Sequence, residues 1–358
     1  MSHFLSLWGE DSDRKWDIRA TGTGRSQGDG GGLFSEDGVR GGPRRRRGAD
    51  PRGMRTPAPL PPDVPSAFAV ADAQRWGLSA RRLRASDLET PYRGVRLHGR
   101  VPSGSDGIAQ EAWRYAPRLK EWQFYSHETA LALHDVPTPP FPHRTRLHVS
   151  AHRPRREPRI QGVVGHRLQT RAPAWSVDER GLPLEDPVRA WRQAGTLWRL
   201  DDLIVAADAL VTPQRRLASV TELQAEIEEM GDVRGGLLMR ALREVRAGSE
   251  SPGETRTRLL LVRAGLPEPE LNIEIFDDRG LFIARLDMAY PRYRVAVELD
   301  GRQHAEDARQ FARDADRWAA IRAADWDLVR ILQHHTRGPR PEAPALVAAA
   351  LRRAGWRG

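Results

Sequence analysis

Cysteine is absent from the 358 residues, which excludes disulfide bridges and zinc sites built on thiolates. Lysine is nearly absent, occurring only at Lys15 and Lys120, so cationic work falls to arginine and histidine. No uncharged apolar run reaches the roughly 18 residues that suggest a membrane-spanning helix. The opening MSHFLSLWGEDSDRKWD lacks a basic stretch followed by an apolar one, the pattern of an export signal. Cytoplasmic placement is the expectation.

What is present is a basic chain, with a formal charge of +9 and an isoelectric point near 10.6. That balance suits a polyanionic partner such as DNA, or else a solvated arginine-rich surface. Eleven tryptophans and a 39% hydrophobic content suffice for packed cores, and the length predicts two or three domains.

Residues 1–60 are rich in Gly, Arg, Pro and Asp and cannot bury enough apolar surface to offset the entropy of ordering, so this tail is expected to be disordered. Met54 is an alternative start of the chain. Residues 66–121 predict a winged helix-turn-helix-like region: a helix over 69–76 ended by Gly77, an arginine-rich helix over 79–87 capped by Ser79, then a strand in YRGVRLHG. Arg81, Arg82 and Arg84 on the second helix are candidate DNA contacts. Residues 122–248 predict a mixed α/β region, with a helix from Ser126 and strands in RTRLHVSA and GVVGHRL. EDPVRAWRQAGTLWRLDDLIVAADALV predicts two helices. His127, His134, His143, His148, His152 and His166 are numerous there, but no HExxH-like pair occurs; scattered structural histidines are the expectation, with a metal site among them as the less favoured alternative.

From Ser249 to the end the pattern is sharper. SPGETRTRLLLVRAGL reads as a helix; LNIEIF, LFIARLDMAY and YRVAVELD read as strands; AEDARQFARDADRWAAIRAAD reads as a helix and DLVRIL as a fourth strand. The order is α-β-β-β-α-β, a mixed sheet with helices. In the second strand Ile283, Arg285 and Asp287 share one side, and Phe282, Leu286 and Met288 the other. In the third, Glu298 and Asp300 project together, roughly 7 Å apart at Cα. If the two strands are neighbours, three carboxylates converge. Oxygen ligands of this kind suit Mg²⁺ or Mn²⁺. Each acid also has a plainer use: Asp287 and Glu298 suit a solvated, exposed sheet face, Glu254 completes a capping box with Ser251, and Asp300 before Gly301 suits a turn.

The ordered set LxxAGLPxPxxN, RLDMAYP, VELDGRQH, RDADRW and AADWDLVRI resembles the PD-(D/E)XK nuclease superfamily. Within it, the likeness is to actinobacterial domain-of-unknown-function proteins related to very-short-patch repair endonucleases. FAVADAQRWGLSARRLR and YRGVR are similar to the winged-helix start of AbiEi-type antitoxins. The resemblance implies a restriction-endonuclease-like domain over 249–358 and metal-dependent hydrolysis of DNA phosphodiesters. It implies Asp287 and Glu298 as Mg²⁺ ligands, Asp300 beside them as ligand or orienter, and Glu254 as an outer or second-metal ligand. His304 would be a general base or phosphate contact. Arg317, on one side of the second helix with Gln310 and Asp314, would reach phosphate. One departure stands out. The superfamily lysine two residues after the Glu is Asp300 here, and residues 249–358 contain no lysine; Arg302, Gln303 and His304 are the candidates for its role. A nuclease-fold DNA-binding regulator without catalysis, antitoxin-like in character, is the alternative reading.

Overall fold

The computed structural model describes residues 57–99, 107–139, 146–300 and 308–358, with side chains of 308–314 excluded. Of the tail expected over 1–60, residues 1–56, with Met54, lie outside the described residues, while Leu60 packs against the first unit's core; His143, Arg302, Gln303 and His304 also lie outside them, as do the side chains of Gln310 and Asp314. The chain divides into two compact units, residues 1–120 with 178–182, and residues 121–177 with 183–358. The expected division at 121/122 lies one residue from this break. Residues on both sides of 248/249 belong to the second unit.

In the first unit, β1 (Ala67–Ala69) pairs antiparallel with β2 (Val95–Leu97), Phe68 opposite Arg96, and α1 spans Gly107–Tyr115. Val64, Phe68, Ala73, Leu83 and Leu88 form its small core. The segment Val70–Trp76 is a 3₁₀ helix closed by Gly77 in the left-handed region, φ 64°. The helix expected over 79–87 is not formed: only one 3₁₀ turn, Arg82–Arg84, occurs, and Ala85 is extended. Local bonding explains the difference. Ser79 Oγ accepts from Arg82 N, and Asp87 accepts a two-pronged pair from the Arg82 guanidinium at 2.8 and 2.7 Å, bonds that compete with helix. The inward residues Leu83 and Leu88 are also five apart, off the three-to-four spacing of a helix face.

The second unit begins with β3 (Gln123–Tyr125), α2 (His127–Leu133), β4 (Leu147–His152), β5 (Val163–Leu168), β6 (Ser176–Val177) and β7 (Pro183–Leu184). These strands form a five-stranded mixed sheet in the order β5-β4-β3-β7-β6. Four helices follow: α3 (Pro187–Ala194), α4 (Leu200–Val211), α5 (Val220–Met230) and α6 (Leu237–Arg243). Their starts are specified locally. Asp186 caps α3 by accepting from Val188 N and Arg189 N, with Pro187 first in the helix, and Ser219 and Glu222 form a capping box on α5. Trp191, Trp198, Leu203, Ile204 and Leu238 make their shared core.

The rest of this unit comprises α7 (Pro252–Arg263), β8 (Glu270–Phe276), β9 (Phe282–Tyr290), β10 (Val295–Asp300), α8 (Ala308–Ala323), β11 (Asp327–Leu332) and α9 (Ala343–Arg353). The sheet order is β11-β10-β9-β8. β10 is parallel to β11 and antiparallel to β9, and β8 is antiparallel to β9. Alternation along β10 divides two cores: Val295 and Val297 pack with Leu261 of α7 and Val347 and Leu351 of α9, whereas Ala296 packs with Ile321 of α8. The whole is a mixed α/β molecule with two mixed sheets.

α7 is tied to α4 by a buried ion pair. Arg258 donates to Asp208 Oδ2 at 3.0 Å and to the Glu244 carbonyl at 2.9 Å, and Thr255 Oγ1 donates to the same Asp208 oxygen at 2.9 Å. Both charged side chains are about 1% exposed.

Candidate functional site

The acids of β9 and β10 meet where the ladder between these strands gives way to side-chain bonds. Met288 lies opposite Val297, and one step further along that register Asp287 faces Glu298. There Leu299 N donates to Asp287 Oδ2 at 2.9 Å, and Asp287 N approaches Glu298 Oε1 at 3.4 Å. Glu298 is 5% exposed. Burial, and then the neighbouring Asp287 charge, push its carboxyl up to about 7 against the pull of Arg317. Burial also raises Asp287; the Leu299 amide opposes this, and Glu254 adds to it.

Simple alternation did not foresee how Asp287 is placed. Leu286 and Met288, expected on one apolar face, belong to different cores: Leu286 packs with Ala284 and Ile321, Met288 with Leu261 and Ile331. On the neighbouring strand, Leu271 and Ile273 divide in the same way. The cause lies between them. Asn272, opposite Asp287 in register, has a left-handed φ of 49°, which interrupts the pleat of both strands. Asn272 Nδ2 donates to the Gly248 carbonyl at 2.6 Å and to Glu254 Oε2 at 3.0 Å. Glu254 Oε2 also accepts from Glu250 N, and Glu254 N donates to Ser251 Oγ. Glu254 thus both takes part in the helix start and stands within electrostatic reach of Asp287.

Asp300 is engaged elsewhere. Its Oδ2 accepts from Arg330 at 2.6 Å, and Arg330 lies over the Trp318 ring at 3.5 Å. Among the described residues the acids 254, 287, 298 and 300 do not supply three ligand atoms within 4.8 Å of one another. The structure therefore brings Asp287 and Glu298 together, with Glu254 behind them, and directs Asp300 to the β11 side. Arg317 of α8 reaches Glu298 Oε2 at 2.8 Å and the Arg285 carbonyl at 2.5 Å. In the first unit Arg81 and Arg84 are exposed, and Arg82 is committed to Asp87.

A second cluster gathers three of the histidines that were expected to be scattered. His127, His148 and His166 offer three ligand atoms within 4.8 Å of one another. His127 opens α2 with φ 52°; β4 and β5 pair in parallel, Ser150 opposite His166, so His148 and His166 share a sheet face. The His127 and His166 rings stack at 3.7 Å between centroids, and His148 Nδ1 is 2.9 Å from His166 Nε2. Burial, with the neighbouring histidines, holds His127 well below its usual range, and burial and His148 bring His166 down to about 4. His148 Nε2 lies 3.2 Å from Glu128, whose other oxygen accepts from Trp198 at 2.9 Å. Burial acts to raise Glu128, but the bonds from His148 and Trp198 outweigh it and keep it below its usual range. His127 Nδ1 is 2.9 Å from Ser126 Oγ. The only advance signal was His148 and Ser150 alternating along one strand, with His166 similarly placed on another.

No family model matches the chain. Two curated relatives, the uncharacterized proteins MT2308 and Rv2248 of Mycobacterium tuberculosis, are each 32% identical over 197 residues, which is 55% of this chain. The match spans 66% of the length of each, slightly under two thirds. A solved structure, the RV2827C protein of Mycobacterium tuberculosis, aligns with 61% of this chain and 86% of its own at 16% identity and a TM-score of 0.35. Among the described residues no helix is long and apolar enough to cross a membrane.

Proposed function

We propose that this protein is a metal-dependent DNA endonuclease of restriction-endonuclease-like architecture, with Asp287 and Glu298 as its central carboxylates. The observation that carries the reading is the enclosed pair itself. Two acids face each other at the end of the β9–β10 ladder, one of them 5% exposed and raised to about 7 in part by the other. A divalent cation relieves that repulsion, and Mg²⁺ or Mn²⁺ needs only one or two carboxylates, completing its shell with water and substrate phosphate. The residues fit such an ion: Asp287 and Glu298 would hold it, with Glu254 as an outer ligand, and Asp300 stands aside in its pair with Arg330. The bound ion would supply an acidified water and charge stabilisation at phosphorus. Arg317, freed from Glu298, carries the positive charge that the missing lysine would otherwise bring to the phosphate.

A second reading, a DNA-binding regulator that does not cleave, is favoured by one observation: Arg317 already neutralises Glu298 at 2.8 Å. Incubating purified protein with supercoiled plasmid and Mg²⁺ or Mn²⁺ separates the two. A nuclease nicks or linearises the DNA, and Asp287→Asn and Glu298→Gln each lose several kcal/mol of transition-state stabilisation, roughly a hundredfold or more in rate. Equal cleavage by the wild type and both variants rejects the assignment. Binding without any cleavage supports the regulator.

A further inference from the structure

We propose that His127, His148 and His166 form a binding site for one divalent transition ion of the Zn²⁺ type, separate from the carboxylates of β9 and β10. The ligand atoms come from three elements, the first residue of α2 and two neighbouring strands, and lie within 4.8 Å of one another. Imidazole nitrogen suits ions such as Zn²⁺, Cu²⁺ or Ni²⁺ and not Mg²⁺, so the two sites differ in chemistry as well as position.

The surroundings fix which nitrogens point inward. His148 Nε2 lies 3.2 Å from the Glu128 carboxylate, whose other oxygen accepts from Trp198, so Nε2 is the donor nitrogen of that ring. His148 Nδ1 is then a lone pair, and it faces His166 Nε2 at 2.9 Å. Ser126 Oγ engages His127 Nδ1, leaving Nε2 as the ligating nitrogen of that ring. An ion about 2.0–2.1 Å from each nitrogen sets neighbouring ligands roughly 3.3 Å apart, inside the span of this trio.

A built outer layer accompanies the ligands. Glu128 orients His148 and is itself held by Trp198 at 2.9 Å. Ser126 is fixed by Ser150, whose hydroxyl donates to it at 2.5 Å, and the His148 amide donates to Thr129 Oγ1 at 2.8 Å. Carboxylate–histidine pairing of this kind sets tautomer and ligand basicity in metal centres. A hydrogen-bonded histidine stack is the competing explanation. It accounts for the 2.9 Å contact through one shared proton, but gives no reason for a third imidazole, that of His127, to be enclosed beside the pair on a left-handed backbone. Three histidines leave a fourth coordination position open, the donor count of catalytic rather than structural zinc sites.

The test uses the untagged full chain carrying Asp287→Asn and Glu298→Gln, which removes carboxylate binding at the other site. After treatment with chelator it is titrated with Co²⁺ and then Zn²⁺. One Co²⁺ per chain is expected, with a visible ligand-field band that Zn²⁺ displaces, and Zn²⁺ should raise the melting temperature. His166→Asn, on the half-buried edge strand β5, should lose at least about a hundredfold in affinity while the metal-free protein keeps its circular dichroism. Glu128→Gln should weaken binding roughly 10–100-fold. A folded parent chain that takes up no stoichiometric Co²⁺ or Zn²⁺ overturns the proposal, as does undiminished binding by folded His166→Asn.

Discussion

Glu185 illustrates how one enclosed side chain can make stability depend on pH. It is 1% exposed; Oε2 accepts from Gln193 Nε2 at 2.8 Å, and Oε1 meets no donor among the described residues. Burial pushes its carboxyl up to about 7; the Gln193 bond, the Arg189 charge and the Asp186 backbone amide pull it down, and the Asp186 charge adds a smaller rise. In the unfolded chain a glutamate titrates near 4.3. Between these values the folded protein binds the extra proton. The contribution to stability is full below the unfolded value, falls as pH rises, and is gone above about 7, a swing of about 4 kcal/mol. Glu185→Gln removes the penalty of ionisation. At pH 8 the variant should therefore be more stable than the parent, and the difference should shrink toward pH 5, as read from urea midpoints across that range. Parallel pH dependences would show that Glu185 is already ionised in the folded protein.

At the scale of elements, the kink at Asn272 sets the acids. Asn and Gly tolerate a φ of 49°, whereas a β-branched side chain does not. Asn272→Gly keeps the backbone but loses the amide bonds to Gly248 and Glu254, for a cost of about 1–2 kcal/mol. Asn272→Val adds strain of the order of 1–3 kcal/mol and should be the less stable of the two in thermal melts, with the larger loss of plasmid cleavage. The α4–α7 contact is more demanding. Asp208→Ala takes away the buried partner of Arg258, leaving only the exposed Glu268 at 3.2 Å, and should cost about 3 kcal/mol, a loss that the double change Asp208→Leu, Arg258→Met should largely recover. These elements also mark how far the sequence could be read. The strands β8 to β11 and helices α7 and α8 were legible because their apolar periods differ and their ends carry Ser251, Gly265 and the DDRG turn. The change of facing at Asp287 was not, because it depends on the backbone of a residue on another strand. Arg317 beside Glu298 was also unread, since the acid and the base come from elements 19 residues apart in sequence. The helix expected at 79–87 failed because Ser79 and Asp87 bond locally. The histidine trio carries no metal-motif spacing beyond the strand alternation at His148 and His166: 127, 148 and 166 meet only because α2 packs against a sheet whose strands are parallel at that edge.

For the whole molecule, the composition that excluded lysine also shapes how it would hold a polyanion. With 57 basic and 48 acidic side chains, much of the arginine is neutralised locally: Arg82 by Asp87, Arg258 by Asp208, Arg263 by Asp201, Arg330 by Asp300. The net charge is therefore a poor count of phosphate contacts, and exposure together with pairing is a better one. Arg81 and Arg84 are exposed on the turn that replaced the expected helix. For the proposed DNA partner this makes a measurable distinction. Each phosphate contact contributes about −0.9 to the slope of log K against log salt concentration. Arg81→Ala with Arg84→Ala should therefore make that slope shallower by about 1.8 and weaken binding to different duplex sequences alike. Arg82→Ala breaks the ion pair to Asp87 and should lower the melting temperature of the first unit instead, with little change in slope. Fluorescence anisotropy of labelled duplex over a series of salt concentrations reads both. An unaltered slope in the double variant would place the phosphate contacts on other arginines and remove this turn from the DNA-binding surface.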